Sequence, residues 1–231
     1  VVLILDELRQ FTLGQDCYAD AGEPDDRYEH THITDQVIDE VLGRVKPRFW
    51  LELGTMLGGS AIKVAQRIEA QGLDCAVVCV DPFCGDVNMH HWELELAKSG
   101  GWRFLQLRNG RPTIFERFAA NVVAAGLTHR IHPIHATSIV GMRFLERIHQ
   151  IGYLSGLPDV VYLDSAHEAG ETLLELRMAW SILSPGGVLM GDDWDWVAVR
   201  RDVQVFTDEV GVDVELRENN QWILSKPRGV A

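Results

Sequence analysis

Phe49-Trp50-Leu51-Glu52-Leu53-Gly54-Thr55-Met56-Leu57-Gly58-Gly59-Ser60 decides the fold of this 231-residue chain. An apolar run carrying one acid turns through three glycines in six residues and opens a helical pattern at Ser60. Glycine serves where backbone takes a positive φ or lies against a ligand with no Cβ between them. A helix N-terminus directly after such a turn offers unpaired N–H groups. The stretch reads as a nucleotide cradle at a strand-to-helix turn of an α/β sheet, with a tight turn that holds nothing as the alternative.

Spacing narrows the ligand. A dinucleotide fingerprint needs G-x-G-x-x-G, whereas this stretch runs Glu52-x-Gly54-x-x-x-Gly58-Gly59, with Met56 in the place of the second fingerprint glycine. No Lys-Ser or Lys-Thr follows the glycines, so the phosphate P-loop is absent too. What remains, Glu52, Gly54, Thr55, Gly58 and Ser60, resembles the first motif of class I S-adenosylmethionine-dependent methyltransferases, E/D-x-G-x-x-x-G. The resemblance implies that the loop bends under the methionine part of S-adenosyl-L-methionine. It implies a Rossmann-like α/β fold: a seven-stranded, mostly parallel sheet with an antiparallel C-terminal hairpin and helices on both faces.

Outward from the cradle, Cys75-Ala-Val-Val-Cys-Val80 is a continuous apolar run, as in a parallel strand covered on both faces. It delivers Asp81, 29 residues after Glu52. An acid at the end of the second strand of such a unit accepts hydrogen bonds from ribose hydroxyls; the plainer role is a loop cap. Ile131-His-Pro-Ile-His135 predicts a third strand, placed at a sheet edge by Pro133. Thr137 and Ser138 follow, where the family's loop lines the adenine, although either suits an N-cap. Thr113-x-x-Glu116 has the form of a capping box.

A second cluster of chemistry lies further on. Asp159–Leu163 predicts a fourth strand ending in Asp164-Ser-Ala-His167, and Val188–Met190 a fifth ending in Gly191-Asp192-Asp193. Ligands of a doubly wound sheet gather beyond the carboxyl ends of its strands, so Asp164, Asp192 and Asp193 are candidates for one crevice. Carboxylates packed together repel unless a cation lies between them, and oxygen donors favour Mg²⁺. Separate roles in cofactor binding, helix capping and solvation are the alternative. Tyr162-Leu-Asp164-x-x-His167, with Pro185-Gly186-Gly187-x-x-x-Gly191-Asp192-Asp193, resembles the metal-dependent O-methyltransferases of natural-product pathways, the macrolide-sugar and cephamycin-pathway types. That likeness implies Mg²⁺ on the three aspartates and His167 as the base. Catechol-type relatives carry Asp-Asn where this chain has Asp192-Asp193.

The remainder bounds the reading. A formal charge of −13 lacks the basic face that a nucleic-acid backbone requires. Four cysteines without a C-x-x-C pair read as reduced thiols, and Val1–Leu5 is too short for a leader or a membrane span, so a cytoplasmic protein is expected. Residues 1–33, polar and turn-rich over 6–32, are expected to form an arm or flap on a methyltransferase domain at 34–231, and that arm could reach a neighbour in a homo-oligomer. His30-Thr31-His32 has metal-like chemistry, yet with no third ligand near it in sequence it reads as a solvated segment. Residues 83–112, with Trp92 and Trp102, predict a lid over the acceptor or else a small satellite core. The function expected is Mg²⁺-assisted O-methylation of a hydroxyl-bearing small molecule. A nicotinamide-dependent oxidoreductase and a cofactor-binding protein without turnover are the competing readings.

Overall fold

Phe49–Leu53 forms strand β1, buried at every position, in the interior of a seven-stranded sheet. The computed structural model describes residues 3–25, 31–101 and 103–229. Strands β2 (Ala76–Asp81), β3 (Ile131–His135), β4 (Val160–Leu163), β5 (Val188–Gly191), β6 (Glu215–Leu216) and β7 (Trp222–Ser225) complete a sheet of order β3-β2-β1-β4-β5-β7-β6. The five strands from β3 to β5 run parallel, and β7 is antiparallel to both β5 and β6. The order reverses between β1 and β4, and at such a point a crevice opens beyond the strand ends.

Alternation along the strands divides the core in two. Trp50, Cys79, Tyr162 and Met190 face one layer, packed with α2 (Asp35–Val45), α3 (Gly59–Ala70) and α5 (Ile114–Ala124). Leu51, Val78, Val161 and Trp222 face the other, packed with α1 (Leu3–Arg9), α6 (Ser138–Gln150), α7 (Glu171–Ile182) and α8 (Val197–Val210). Burial on both faces is why β4 and the body of β2 read as apolar runs and β1 as one interrupted only by Glu52. Pro133 lies in β3, the edge strand, where its missing N–H breaks no ladder. Asn219 and Asn220 both take positive φ in the turn that reverses the chain into β7. No helix among the described residues is long and apolar enough to cross a membrane.

Three local expectations change. The 6–32 stretch does not begin in turns: its first residues continue helix α1, whose Leu8 joins Ile4 and Leu5 in the second core layer. The capping box at Thr113 does not form. Its hydroxyl donates to the Gln106 carbonyl at 3.0 Å, and Glu116 pairs with Arg108 instead of reaching back. Within 83–112 a helix forms, α4 (Val87–Ser99), capped by Asp86, which accepts from the Met89 N–H at 2.7 Å. Of its residues only Glu93 is buried, receiving the N–H groups of Leu105 and Gln106. A helix without an apolar stripe gives no periodic signal. Trp102 and His30 lie outside the described residues.

Candidate active site

The glycine turn is shaped by its neighbours as much as by any ligand. Gly54 has φ +80°, and a Cβ there would sit 2.1 Å from the Asp164 carbonyl oxygen, so the turn after β1 packs backbone to backbone on the end of β4. Gly58 has φ +86°, and a Cβ there would sit 3.0 Å from the Phe118 ring. Glu52 is fully buried beneath the turn and accepts from the Ser60 hydroxyl at 2.8 Å. Burial pushes its carboxyl up to about 7, against the pull of the Thr55 and Ser60 hydroxyls.

Asp81 accepts the N–H groups of Thr55 and Met56 at 2.9 Å each, and that of Phe83 with its other oxygen. Burial raises its pKa, and these three bonds oppose the shift. The acid expected on a ribose therefore clasps the cradle itself. It still borders a small cavity of about 130 Å³ together with Thr137 and Ser138. Thr137 is also the N-cap of α6, and Ser138 is buried.

At the far side of the turn the sheet register brings the second cluster together. Leu163 of β4 pairs with Gly191 of β5, so Asp164 and Asp192, the next residue of each, emerge side by side. Their N–H groups bond to Leu53 and Leu163 carbonyls at 2.9 and 3.2 Å. Asp193 takes φ +60° and donates its N–H to Asp192 at 2.7 Å. His167 bridges two acids, with Nε2 2.8 Å from Asp193 and Nδ1 3.2 Å from Asp86, while its ring packs on Trp196 at 5.4 Å.

The ligand-type atoms of Asp164, His167 and Asp193 lie within 4.8 Å of one another, and so do those of His32, Asp192 and Asp193. Among the described residues two trios share Asp193, each with a histidine, and together they include all three aspartates read from the sequence. Burial and the charges of Asp192 and Asp193 hold the Asp164 carboxyl well above the usual range, and burial raises Asp192 as well. Burial disfavours the charged His167 ring, yet the bonds to Asp193 and Asp86 and the field of Asp164 carry it up to about 10. Among these acids the ring favours its protonated form. Carboxylates crowded together around a histidine make a candidate site for a divalent cation.

Turn and cluster open into one cleft of about 620 Å³. Gly54, Ser60, Asp164, His167 and Asp193 line its polar side, and Met56, Met89, Trp92, Phe104 and Trp196 its apolar side. Glu52 does not reach it. Asp86 was not foreseen, because its signal, a polar cap before an unstriped helix, is common to any loop.

A family model described as a methyltransferase domain matches residues 51–194. Among solved structures, cofactor-bound Rv0187 from MTB is 18% identical with a TM-score of 0.58, covering 96% of this chain and 94% of that one. CalS11, a calicheamicin methyltransferase, is 16% identical with a TM-score of 0.57, covering 82% and 77%. The O-methyltransferase TomG from Streptomyces achromogenes, involved in tomaymycin synthesis and solved in complex with SAM, is 17% identical with a TM-score of 0.53, covering 96% and 86%. These likenesses are to the fold. A comparison with curated protein sequences gives no significant match.

Proposed function

Because the chain belongs to the methyltransferase-domain family, we propose that it moves the methyl group of S-adenosyl-L-methionine onto a hydroxyl oxygen of a small-molecule acceptor, beside a divalent cation such as Mg²⁺. The observation that carries this reading is the shared cleft, lined both by the glycine-built helix N-terminus and by the Asp164, His167, Asp192 and Asp193 group. Gly54, Thr55, Gly58 and Ser60 form the cradle for the methionine part, supported from below by Glu52 and from the side by Asp81. Asp81, Thr137 and Ser138 border the cavity suited to ribose and adenine. The match of TomG, a structure that contains SAM, supports the same cofactor for this fold.

Asp164, Asp192 and Asp193 would hold the cation, which when bound supplies Lewis-acid activation of the acceptor hydroxyl. His167 keeps its proton while Asp193 is free to share it. Opposed by a cation on Asp193, the charged ring would release its proton to solvent, and neutral His167 would then take the acceptor's hydroxyl proton. The oxygen forms its bond to the methyl carbon as the carbon–sulfur bond breaks in line, and the electron pair stays on sulfur, leaving S-adenosylhomocysteine. The walls contribute rate by orientation. The apolar side, with α4 as its outer cover, fits a flat acceptor face.

Calorimetric titration of the chain with S-adenosylmethionine and with NAD(H) tests the cofactor, with binding of the first alone expected. Methyl transfer that survives EDTA undiminished, or full activity in Asp193→Ala, would sink the metal-assisted mechanism.

A further inference from the structure

Resting on the metal-assisted reading above, we infer that His32 is a ligand of the same cation, so that the N-terminal segment supplies part of the active site. In sequence the histidine pair at 30–32 had no third ligand near it. The fold places one 160 residues away: His32 Nδ1 lies 3.1 Å from Asp192 Oδ2. Asp192 is buried, whereas the His32 ring is 68% exposed and borders the cleft.

The ring is held there by its neighbours rather than by the pair itself. Ile33 is fully buried in the core, and its carbonyl accepts from Lys63 at 2.9 Å. The His32 carbonyl accepts from Asn219 at 3.1 Å. Thr34 caps α2 and donates its hydroxyl to Glu218 at 3.1 Å. Three consecutive residues are thus pinned to α2, α3 and the β6–β7 turn, which presents an imidazole to the acidic group at little further entropic cost.

Distances fit a shared ion. An octahedral cation with bonds of about 2.1 Å holds adjacent ligand atoms about 3 Å apart and opposite ones about 4.2 Å apart. The His32–Asp192 separation suits an adjacent pair, and the trio with Asp193 spans no more than 4.8 Å, so contraction by a few tenths of an ångström closes the set. A proton now occupies the bridge that a cation would take. An imidazole nitrogen also tilts the donor set away from Mg²⁺, which prefers oxygen throughout, toward Mn²⁺ or Co²⁺.

Titration of the full chain with MnCl₂ and with MgCl₂, without acceptor, reads this directly. His32→Ala is expected to weaken Mn²⁺ by at least about tenfold and Mg²⁺ by less. Bound Mn²⁺ should show nitrogen modulation in its electron spin echo that weakens in the variant. Melting in EDTA should be the same for both proteins, since the ring is exposed. Unchanged Mn²⁺ affinity with full nitrogen modulation in His32→Ala overturns the inference. If Asp193→Ala then still weakens Mn²⁺, only His32 has failed; if neither substitution matters, or the native chain binds no Mn²⁺, the metal reading falls with it.

Discussion

The β1–β2 end of the sheet and the β4–β5 end both carry buried acids, and they treat them in opposite ways. At the first, Asp81 is spent on three backbone N–H groups and Glu52 on the Ser60 hydroxyl. Backbone and hydroxyl donors hold both acids from within, although the second Glu52 oxygen and the Thr55 hydroxyl find no hydrogen-bond partner among the described residues. At the second, Asp164, Asp192 and Asp193 press together, answered by His32, His167 and the Asp193 N–H. An end whose acids are tied to its own backbone makes a scaffold, and crowded acids of like charge make the candidate site for ligand and chemistry.

Breaking the scaffold should have the largest effect. Gly54→Ala drives a Cβ into the Asp164 carbonyl at a positive φ, a combined loss of about 2–6 kcal/mol in urea unfolding, with cofactor binding gone in calorimetry. His167→Ala strikes the other end. Turnover should fall by about 10²–10⁴-fold, while S-adenosylmethionine affinity and melting temperature stay near wild type. A proportional loss of affinity would instead make the ring part of the scaffold.

Glu52 sharpens the contrast through pH. Its carboxyl is raised from 4.5 to about 7 in the fold, so the folded state holds a proton that the unfolded state has released between those values. Its stabilising effect is full below about 4.5 and is lost as pH rises through 7, a change of about 3 kcal/mol. Glu52→Gln should flatten that slope, measured as unfolding free energy from pH 5 to pH 8. Saturating divalent cation has the smallest expected effect: about 2.7 kcal/mol of added stability at a hundred times its Kd. Asp193→Ala should abolish that gain and Glu52→Gln should preserve it.

Much of this was legible before any coordinates. The strands β1, β2 and β4 declared themselves by apolar runs, in β1 broken only by Glu52, Pro133 by the donor it lacks, and Asp164, Asp192 and Asp193 by standing at predicted strand ends. Other features left no trace. α4 buries an acid and no apolar stripe, so periodicity passed over it. The Asp86–His167 and His32–Asp192 pairs join residues 81 and 160 positions apart, beyond the reach of any local pattern. The Thr113 cap failed because Arg108, brought near by the 108–111 turn, competes for Glu116.

From the sequence alone came the layer order of the domain, the cradle and the acids at the strand ends, since burial and backbone conformation are written in local residue types and their period. Tertiary structure alone decided what each acid does. Whether a carboxylate clasps a turn, as Asp81 does, or stands among other acids and histidines, as Asp193 does, depends on which N–H groups and charges the fold carries to within about 3 Å of it, and those come from distant parts of the chain.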